Sequence, residues 1–420
     1  MAQSTETMLL GDIGGTKARF ALLVDGQLGS IETFLVSNYP GVADAIAAFF
    51  ARHQGHTPVA HACLAIAGPI QCDRCVIINS GWLVDGPQLR KLFGWGLLRL
   101  INDFEAIAWS LPHLRSRDVY ALGSGQAMPG APAVVLGPGT GLGMACLMPG
   151  PGAPIVIASE GGHATLPSSC QQEDAVIDRL RRRYGHVSAE RVLSGAGLEN
   201  LYHTIAAIDG VNAPERRASE ITKAAIEGSC PISGAAVDMF CSILGTVAGN
   251  LALTFAARGG VYIAGGIMPH LAEYAARSTL RERFVAKGRY QNYLEAIPTG
   301  IVIHPEPAFI GLKWLAEQGH GGGRKWHSWQ ITHDHQDQDC VYWRREHVVW
   351  PQHVQGRVRI DGARGQHADA SWQGCRASCA QRAARAADER KIRRGLEDRA
   401  YGRSPRRARW GRICRQRNRH

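Results

Sequence analysis

Two glycine-rich turns stand out in the sequence, each between two short apolar runs. The first, in GDIGGTKARFAL, contains Gly14, Gly15 and Thr16, and the second, in VVLGPGTGLG, contains Gly139 and Thr140. Because glycine has no side chain, backbone N–H groups in such turns can approach an anion closely, and a threonine hydroxyl adds a donor. A tight hairpin is the alternative for either turn alone, but the repeated context favours a pair of phosphate-binding loops.

Two aspartates could do chemistry beside these turns. Asp12 directly precedes the first turn, where its carboxylate could hold a Mg²⁺ that offsets phosphate charge, or could merely stabilise the turn. Asp103 follows Asn102 at the end of the apolar run LLRLI, and a carboxylate there could accept the proton of a hydroxyl attacking a phosphoryl group. Its alternative role is the N-cap of the helix predicted for FEAIAWSL.

A third polar group follows in ASEGGHATLP and AERVLSGAGLENLY. Glu160 and His163 flank a Gly-Gly turn, and Glu190 opens the next predicted helix. Ionised carboxylates accept hydrogen bonds in fixed directions, so this set suits a ligand with several hydroxyls. Metal binding is a weaker alternative, because one histidine with distant glutamates is not a typical ligand set.

The elements that must position these residues alternate between strands and helices, which predicts an α/β fold. Apolar runs predict strands before each turn, before Asp103 and at GGVYIAGGIM, which ends in the glycine pair Gly265 and Gly266. The repeated strand–turn–strand unit predicts a duplicated architecture. Helices are predicted at VADAIAAFFARH, FEAIAWSL and residues 172–184, 188–207, 215–257 (interrupted near 228–234) and 270–287. The segment IVIHPEPAFIGLKWLAEQ is predicted to form a last strand and a closing helix.

Composition divides the chain near residue 320. Residues 321–420 contain 23 Lys+Arg and 10 Asp+Glu, which gives this segment a net charge of +13. Because the whole chain carries +11, residues 1–320 carry −2. The basic balance therefore says nothing about what the main body binds. The N-terminus resembles no signal peptide and no apolar stretch approaches the length of a membrane span, so a cytoplasmic protein with reduced thiols and no membrane partner is expected.

The tail from residue 319 onward has one leucine, Leu396, yet six of the ten tryptophans. It cannot pack a core of its own, and its tryptophans are atypical of a disordered linker. An out-of-frame reading of a GC-rich gene explains this composition better than a basic arm for nucleic acid does, and sequencing the gene through this region tests that interpretation.

Taken together, the motifs resemble those of the bacterial ATP-dependent glucokinases of the hexokinase/actin-like superfamily. The segments GDIGGTKARFAL, INDFEAIAWSLP, VVLGPGTGLG, EGGH, ERVLSGAGLENLY, IAGG and HPEPAFIGLKWL occur in the family's order over residues 8–318. The resemblance implies a two-domain actin-like, ribonuclease H-like fold with a central cleft. The small α/β domain would comprise residues 1–113 completed by 304–318, the large one would comprise 114–303, and the tail would be 319–420.

The resemblance also implies an activity, transfer of the ATP γ-phosphoryl group to the 6-hydroxyl of D-glucose, giving glucose 6-phosphate for glycolysis. Asp103 would be the catalytic base, and Mg²⁺ and a homodimer would be expected. The other sugar hydroxyls would be held by Asn102, Glu160, His163 and Glu190. The ATP phosphates would contact Gly14, Gly15, Thr16, Gly139 and Thr140, with Asp12 beside them and Gly265 and Gly266 near the adenosine.

Two departures from the family pattern keep other functions open. Lys17 stands where many of these glucokinases have asparagine and is typical of the related ROK kinases, but the zinc-binding cysteines of ROK members are absent, since the segment after EGGH offers only Cys170. A kinase for another hexose or an N-acetylhexosamine is one alternative. A sugar-sensing transcriptional regulator with a nucleic-acid-binding tail is the other.

Overall fold

The computed structural model describes residues 7–53, 58–150 and 153–320, so the tail predicted for residues 319–420 lies almost entirely outside the described residues. The strands are β1 (Thr7–Ile13), β2 (Lys17–Val24), β3 (Gln27–Leu28), β4 (Glu32–Leu35), β5 (Val59–Ile66), β6 (Arg74–Ile77), β7 (Trp82–Asp85), β8 (Leu97–Asn102), β9 (Val119–Ala121), β10 (Ala133–Pro138), β11 (Leu142–Met148), β12 (Ile155–Ser159), β13 (Gly260–Ile263) and β14 (Thr299–Val302). The helices are α1 (Val42–Arg52), α2 (Gly86–Phe93), α3 (Asp103–Ser110), α4 (Gln171–Tyr184), α5 (Gly195–Asp209), α6 (Ala218–Ile226), α7 (Pro231–Phe255), α8 (Ala272–Arg277), α9 (Leu280–Val285), α10 (Gln291–Glu295) and α11 (Pro307–His320).

Two six-stranded sheets carry the fold, and five strands of each follow the same order. The first runs β3-β2-β1-β5-β8, with β4 also paired to β2, and the second runs β12-β11-β10-β13-β14-β9. In each, an antiparallel hairpin is followed by two parallel strands, β1-β5-β8 in the first sheet and β10-β13-β14 in the second. The predicted α/β class and duplicated architecture are confirmed.

The parallel strands set where functional residues gather. Carboxyl ends of adjacent parallel strands meet at one edge of a sheet, and ligands of α/β proteins bind outside that edge. In the first sheet Ile13 of β1 pairs with Ile66 of β5, which pairs with Asn102 of β8. In the second sheet Leu136 of β10 pairs with Ile263 of β13. The predicted glycine turns and Asp103 begin within about three residues of these positions.

Helices α3 and α11 pack against each other beside both sheets. The contact is close because Gly311 of α11 lies against the backbone of α3, where a Cβ would stand 1.9 Å from the Ala106 carbonyl oxygen. The indole rings of Trp109 and Trp314 stack with centroids 4.8 Å apart. This buried helix pair, packed against the first and second sheets alike, fixes α3 and hence Asp103 at its first residue.

Two predicted helices differ from the structure. The helix expected over 188–207 begins only at Gly195, because the Ser194 hydroxyl caps it by accepting a hydrogen bond from the Gly197 N–H at 3.0 Å; residues 189–191 form a 3-10 turn instead. The helix expected over 270–287 is divided into α8 and α9, since Ser278 is extended and its hydroxyl accepts from the Leu280 N–H.

Helix α7 corrects the expectation that no apolar stretch approaches membrane-span length. Among the helices that the structure describes, this 25-residue helix alone is long and apolar enough, but 67% of its most apolar stretch is buried in the protein. A helix that is apolar on all sides is typical of a protein core as well as of a membrane. Helix α7 belongs to the hydrophobic core that packs against the second sheet.

Candidate active site

Asp103 occupies the first position of α3, and the residue before it takes over the capping role. The Asn102 Oδ1 accepts hydrogen bonds from the N–H groups of Phe104 (2.9 Å) and Glu105 (3.2 Å), so Asn102 is the N-cap. The Asn102 Nδ2 also donates to the Gly68 carbonyl at 3.3 Å. The alternative that Asp103 serves as the N-cap is therefore not realised, and within the described residues the Phe104 N–H donates to Asp103 Oδ1 at 2.9 Å.

The pKa of Asp103 is raised to about 7, mainly because burial disfavours the charged carboxylate. The neighbouring carboxylates of Asp12 and Glu160 raise it further, and the helix N–H groups oppose them. Asp103 therefore changes charge near neutral pH, where a general base is most effective.

Asp12 is held by an arginine that sequence reasoning missed. Its Oδ2 accepts from Arg19 Nη1 at 2.9 Å, and the Nε of the same guanidinium lies 3.3 Å from Glu306 Oε1. The antiparallel register places Asp12 directly opposite Arg19 in the β1–β2 hairpin. Burial raises the pKa of Asp12, while Arg19 opposes that shift. The predicted hairpin could have shown that Arg19 of β2 lies opposite Asp12 of β1. No local sequence signal points to Glu306, because it lies in a loop far along the chain.

The first glycine turn is closed by a hydrogen bond from the Gly14 N–H to the Lys17 carbonyl at 2.9 Å. Gly15 lies against Asn79, the second residue that sequence reasoning missed, which follows β6 at the tip of the β6–β7 hairpin. A Cβ on Gly15 would stand 2.8 Å from the Asn79 Cβ. Thr16 is exposed, so its hydroxyl is accessible to a ligand.

The second glycine turn and the third glycine pair lie together at the edge of the second sheet. The Gly139 N–H donates to the Gly141 carbonyl at 2.8 Å, and the Gly195 N–H of α5 donates to the Gly139 carbonyl at 2.9 Å. Gly265 has φ +87, and a Cβ there would stand 2.4 Å from the Pro138 carbonyl oxygen. Glycine is required at Gly265 both by its backbone conformation and by this close approach.

Glu160, His163 and Glu190 form the cluster that the sequence predicted. The His163 ring nitrogens lie 3.9 Å from Glu160 Oε2 and 3.9 Å from Glu190 Oε1. Glu190 Oε2 accepts from the Leu142 N–H at 2.9 Å, which ties the cluster to the second turn. Gly141 is the neighbour that permits this, since a Cβ there would stand 2.5 Å from Glu190 Oε2. The spacings of 3.9 Å leave hydrogen-bonding capacity for hydroxyl groups of a ligand.

A cavity of about 440 Å³ adjoins the third glycine pair. Its walls come from α6 and from the segment after β13, and they include Ala218, Ser219, Thr222, Gly266 and His270. Small ligands bind in concave, mainly apolar sites of this size. The prediction that Gly266 lies near an adenosine is compatible with this cavity but stays a prediction.

The part of the chain that the structure describes contains no cluster of three or more metal-ligating His, Cys, Asp or Glu residues. Cys72 is exposed and Cys75 is buried, and neither forms a disulfide within the described residues. A single carboxylate suits Mg²⁺ nevertheless, because this ion usually keeps several waters and is held by one or two carboxylates together with substrate phosphates. Asp12 can meet that requirement through its other oxygen, because the hydrogen bond from Arg19 engages Oδ2 and orients the carboxylate.

The chain is similar to known proteins over its whole described body. The family model described as Glucokinase matches residues 9–319. The glucokinase of Paramagnetospirillum magneticum is 45% identical over 313 residues, which are 74% of this chain and 98% of that protein, and the glucokinase of Nitrobacter hamburgensis is 42% identical over 308 residues, 73% and 96%.

A solved structure extends the similarity to the fold. The crystal structure of a glucokinase from an Antarctic psychrotroph is 34% identical, with a TM-score of 0.66, and the match covers 74% of this chain and 99% of that one. The predicted actin-like sugar kinase fold is thereby confirmed. The matching family model and these relatives show that the chain belongs to the glucokinase family and is an ATP-dependent hexose kinase.

Proposed function

We propose that Asp103 is the catalytic base of glucose phosphorylation in this chain. Its Oδ2 has no hydrogen bond among the contacts that the structure describes around it, and its pKa of about 7 makes it a base suited to neutral pH. As the 6-hydroxyl oxygen attacks the γ-phosphorus of ATP, its proton passes to Asp103, the new O–P bond forms and the bond to the leaving ADP breaks. This free, pKa-shifted carboxylate carries the proposal.

The sugar would be oriented by the cluster around His163. Glu160 and Glu190 would accept hydrogen bonds from two hydroxyls, and His163, 3.9 Å from each carboxylate, would bond a hydroxyl between them. The contribution of Asn102 would be smaller than the sequence suggests. Its Oδ1 is committed to the cap of α3, so only the second Nδ2 hydrogen would be free for a sugar oxygen. Its main role would be to fix Asp103.

The phosphates would lie between the two glycine turns. N–H groups at Gly15 and Thr16 on one side and at Thr140 on the other would donate to phosphate oxygens, as in other backbone anion sites. The adenosine would enter the 440 Å³ cavity beside Gly266. The cavity wall there is unobstructed, because a Cβ on Gly266 would meet nothing within 4 Å.

Mg²⁺ would be held beside the phosphates by Asp12, directly or through water. When bound, the ion would supply charge neutralisation for the transferred phosphoryl group. Arg19 keeps Asp12 in place and offsets its negative charge at 2.9 Å, so the carboxylate is oriented before any ion arrives.

The larger assembly follows from the same proposal. Residues 1–113 with 304–318 would form one domain and residues 114–303 the other, and they would close over the sugar and exclude water that could otherwise accept the phosphoryl group. The chain would act in the cytoplasm as a homodimer, feeding glucose 6-phosphate to glycolysis. A nucleic-acid partner would arise only from residues 319–420.

The test is formation of sugar 6-phosphate with MgATP, using glucose, mannose, fructose and N-acetylglucosamine. The full chain and a chain ending at Gln318 are compared, so that a contribution of the tail is detected. Strong preference for glucose in both is expected. Preference for another sugar would transfer the proposal to that substrate, and absence of turnover with every sugar would refute it.

A further inference from the structure

Two arginines near the end of α4 lie over the same tyrosine ring. Arg183 directly precedes Tyr184, the last residue of α4, and Arg191 ends the short 3-10 turn Ala189–Arg191 that follows. The Cζ atom of Arg183 lies 4.9 Å from the centroid of the Tyr184 ring, and that of Arg191 lies 4.3 Å from it. Both distances are within the range of a cation–π interaction, so one ring holds two positive charges close together.

A buried asparagine fixes this arrangement from the protein side. Asn200 in α5 is 8% exposed. Its Oδ1 accepts hydrogen bonds from the Tyr184 hydroxyl at 3.0 Å and from Arg183 Nη1 at 3.4 Å. Its Nδ2 donates to the Arg191 carbonyl at 3.0 Å. One side chain therefore positions the ring and both arginines before any ligand binds, which reduces the entropy cost of binding.

No carboxylate neutralises the two guanidinium groups within the described residues. Among the ion pairs found there, none includes Arg183 or Arg191, whereas the neighbours Arg181 and Arg182 both pair with Asp178, at 3.7 Å and 2.7 Å. A guanidinium group has five N–H donors, and the hydrogen bond to Asn200 uses only one donor of Arg183. The pair therefore keeps two positive charges and most of its donors available to an anion.

The segment around this pair is basic, although the body of the chain is not. Residues 178–191 contain five arginines and two acidic residues, a net charge of +3, whereas residues 1–320 as a whole carry −2. Arg183 and Arg191 are both exposed, so a ligand can reach them from solvent. Concentrated positive charge on an otherwise acidic body attracts anions to this surface.

The spacing of the two guanidinium groups suits a phosphoryl group. Because both Cζ atoms lie close to one ring centroid, they are at most about 9 Å apart, a distance that one tetrahedral anion with hydrogen bonds of about 2.8 Å to each group nearly spans. A phosphoryl group has three acceptor oxygens and almost two negative charges at neutral pH, so it can accept from two guanidinium groups at once. A carboxylate has two oxygens, and a single guanidinium group already engages both.

We propose that Arg183 and Arg191 form a second anion site, separate from the phosphate-binding turns, which binds the phosphoryl group of inorganic phosphate or of a phosphorylated small molecule. The site is next to the sugar cluster in sequence, because Arg191 follows Glu190 in one 3-10 turn. Its contacts are nevertheless its own, since Tyr184 and Asn200 hold the arginines, whereas Glu190 Oε2 accepts from the Leu142 N–H. This inference does not depend on the proposed catalytic roles.

The test measures binding of inorganic phosphate and of glycerol 3-phosphate to the full chain by isothermal titration calorimetry. Residues 321–420 carry +13 and attract anions without specificity, so the comparison uses two double variants that each remove two positive charges. Arg183→Gln with Arg191→Gln removes the site, and Arg181→Gln with Arg182→Gln is the matched control. We expect the first to weaken phosphate binding by about tenfold or more and the second by less than about twofold.

The outcomes separate the possible ligands. Similar affinities for the two probes would identify the phosphoryl group itself as the ligand, and much tighter binding of glycerol 3-phosphate would identify a phosphorylated small molecule; both support the site. Equal weakening in the two double variants, or no binding of either probe to the unaltered chain, would overturn it. So would binding of a polyglutamate peptide through Arg183 and Arg191 without binding of either phosphate probe, since that result indicates an acidic protein partner.

A variant that keeps every charge tests whether the ring positions the guanidinium groups. Tyr184→Leu removes the ring and the hydroxyl bound to Asn200, so we expect phosphate binding to weaken by about threefold or more. Urea titration of each variant confirms that it is folded. If folded Tyr184→Leu binds phosphate as tightly as the unaltered chain, the ring does not build the site and the proposal is wrong.

Discussion

Five strands of each sheet follow the same order, yet the β1–β2 hairpin of the first sheet and the β10–β11 hairpin of the second have different roles at the site. In the β1–β2 hairpin, the second-to-last pair of opposite residues before the turn is Asp12 and Arg19, which form an ion pair at 2.9 Å. In the second, the corresponding pair is Gly137 opposite Gly143. One hairpin therefore presents charge to the site, and the other presents none.

The glycine pair of the second hairpin supports the chemistry of the first. A Cβ on Gly143 would stand 1.9 Å from the Phe104 ring, and one on Gly137 would stand 2.8 Å from it. Phe104 directly follows Asp103, so the space left by two glycines receives the ring that fixes the start of α3. In this duplicated unit, one copy therefore supplies a carboxylate to the site. The other copy supplies the space beside Gly137 and Gly143, here called the socket, which receives the Phe104 ring.

Removing the charge of Asp103 should produce the largest effect. Asp103→Asn preserves shape and the hydrogen bond from the Phe104 N–H, but it cannot accept the hydroxyl proton, so kcat should fall by about a hundredfold or more. The KM for glucose should change only a few-fold. Steady-state kinetics measure both, and a kcat within threefold of the unaltered enzyme would remove Asp103 from the role of base.

Filling the socket of the second hairpin should disturb the first. Gly143→Ala would force the Phe104 ring out of its place, so we expect a loss of about 2 kcal/mol or more in the free energy of unfolding, together with a reduced kcat. Gly266→Ala is the matched control, because a Cβ there meets nothing within 4 Å, and it should unfold like the unaltered protein. Urea titration measures both, and equal stability of the two variants would contradict the socket.

Displacing Glu190 should affect sugar binding more than turnover. Gly141→Ala places a methyl group 2.5 Å from Glu190 Oε2 and competes with its hydrogen bond from the Leu142 N–H. We expect the KM for glucose to rise about tenfold, as for the loss of one charged hydrogen bond, with a smaller change in the KM for ATP. An unchanged KM for glucose would show that Glu190 does not hold the sugar.

Releasing Asp12 from the first hairpin should have a moderate effect on the magnesium requirement. Arg19→Met removes the hydrogen bond that holds Asp12 Oδ2, so the carboxylate loses its fixed orientation and the Mg²⁺ concentration for half-maximal activity should rise by up to about tenfold. Arg52→Met, which breaks the more exposed pair with Glu32, serves as the control. If Arg19→Met and Arg52→Met require the same Mg²⁺ concentration for half-maximal activity, the Asp12–Arg19 pair does not support Mg²⁺ binding.

The smallest effect expected is on stability against pH. Because the pKa of Asp103 is raised from 3.8 to about 7 in the folded state, its carboxyl favours folding fully below pH 3.8, and that contribution is lost as pH rises through 7. Asp103→Asn should therefore melt about 2–4 °C higher than the unaltered protein at pH 8, with a smaller difference at pH 5. For the same reason kcat/KM should rise through a midpoint near pH 7. If Asp103→Asn and the unaltered protein have the same Tm at pH 8 and also at pH 5, the raised pKa of Asp103 is contradicted.

Much of this arrangement was predictable from the sequence, because its signals are local. Glycine and threonine between two apolar runs determine a turn by backbone conformation alone, and both turns and the third glycine pair were predicted at their positions. The Asp25-Gly26 pair is a further local signal of this kind, since it forms the turn between β2 and β3 and both residues have positive φ. The helix predicted to start at residue 188 begins only at Gly195, and the helix predicted over 270–287 is divided at Ser278. In both cases a serine hydroxyl accepts a backbone N–H at the true helix start, where the apolar pattern continued.

Only the tertiary structure decided how the predicted residues act on one another. The pKa of Asp103 depends on Asp12 from β1 and on Glu160 from the loop after β12, which are distant in the chain. Burial is the larger cause, and it arises when α3 is enclosed between two sheets and α11. A sequence determines which groups can ionise and where the backbone can turn, whereas the free energy of ionisation depends on distances and solvent exclusion that exist only after the chain has packed.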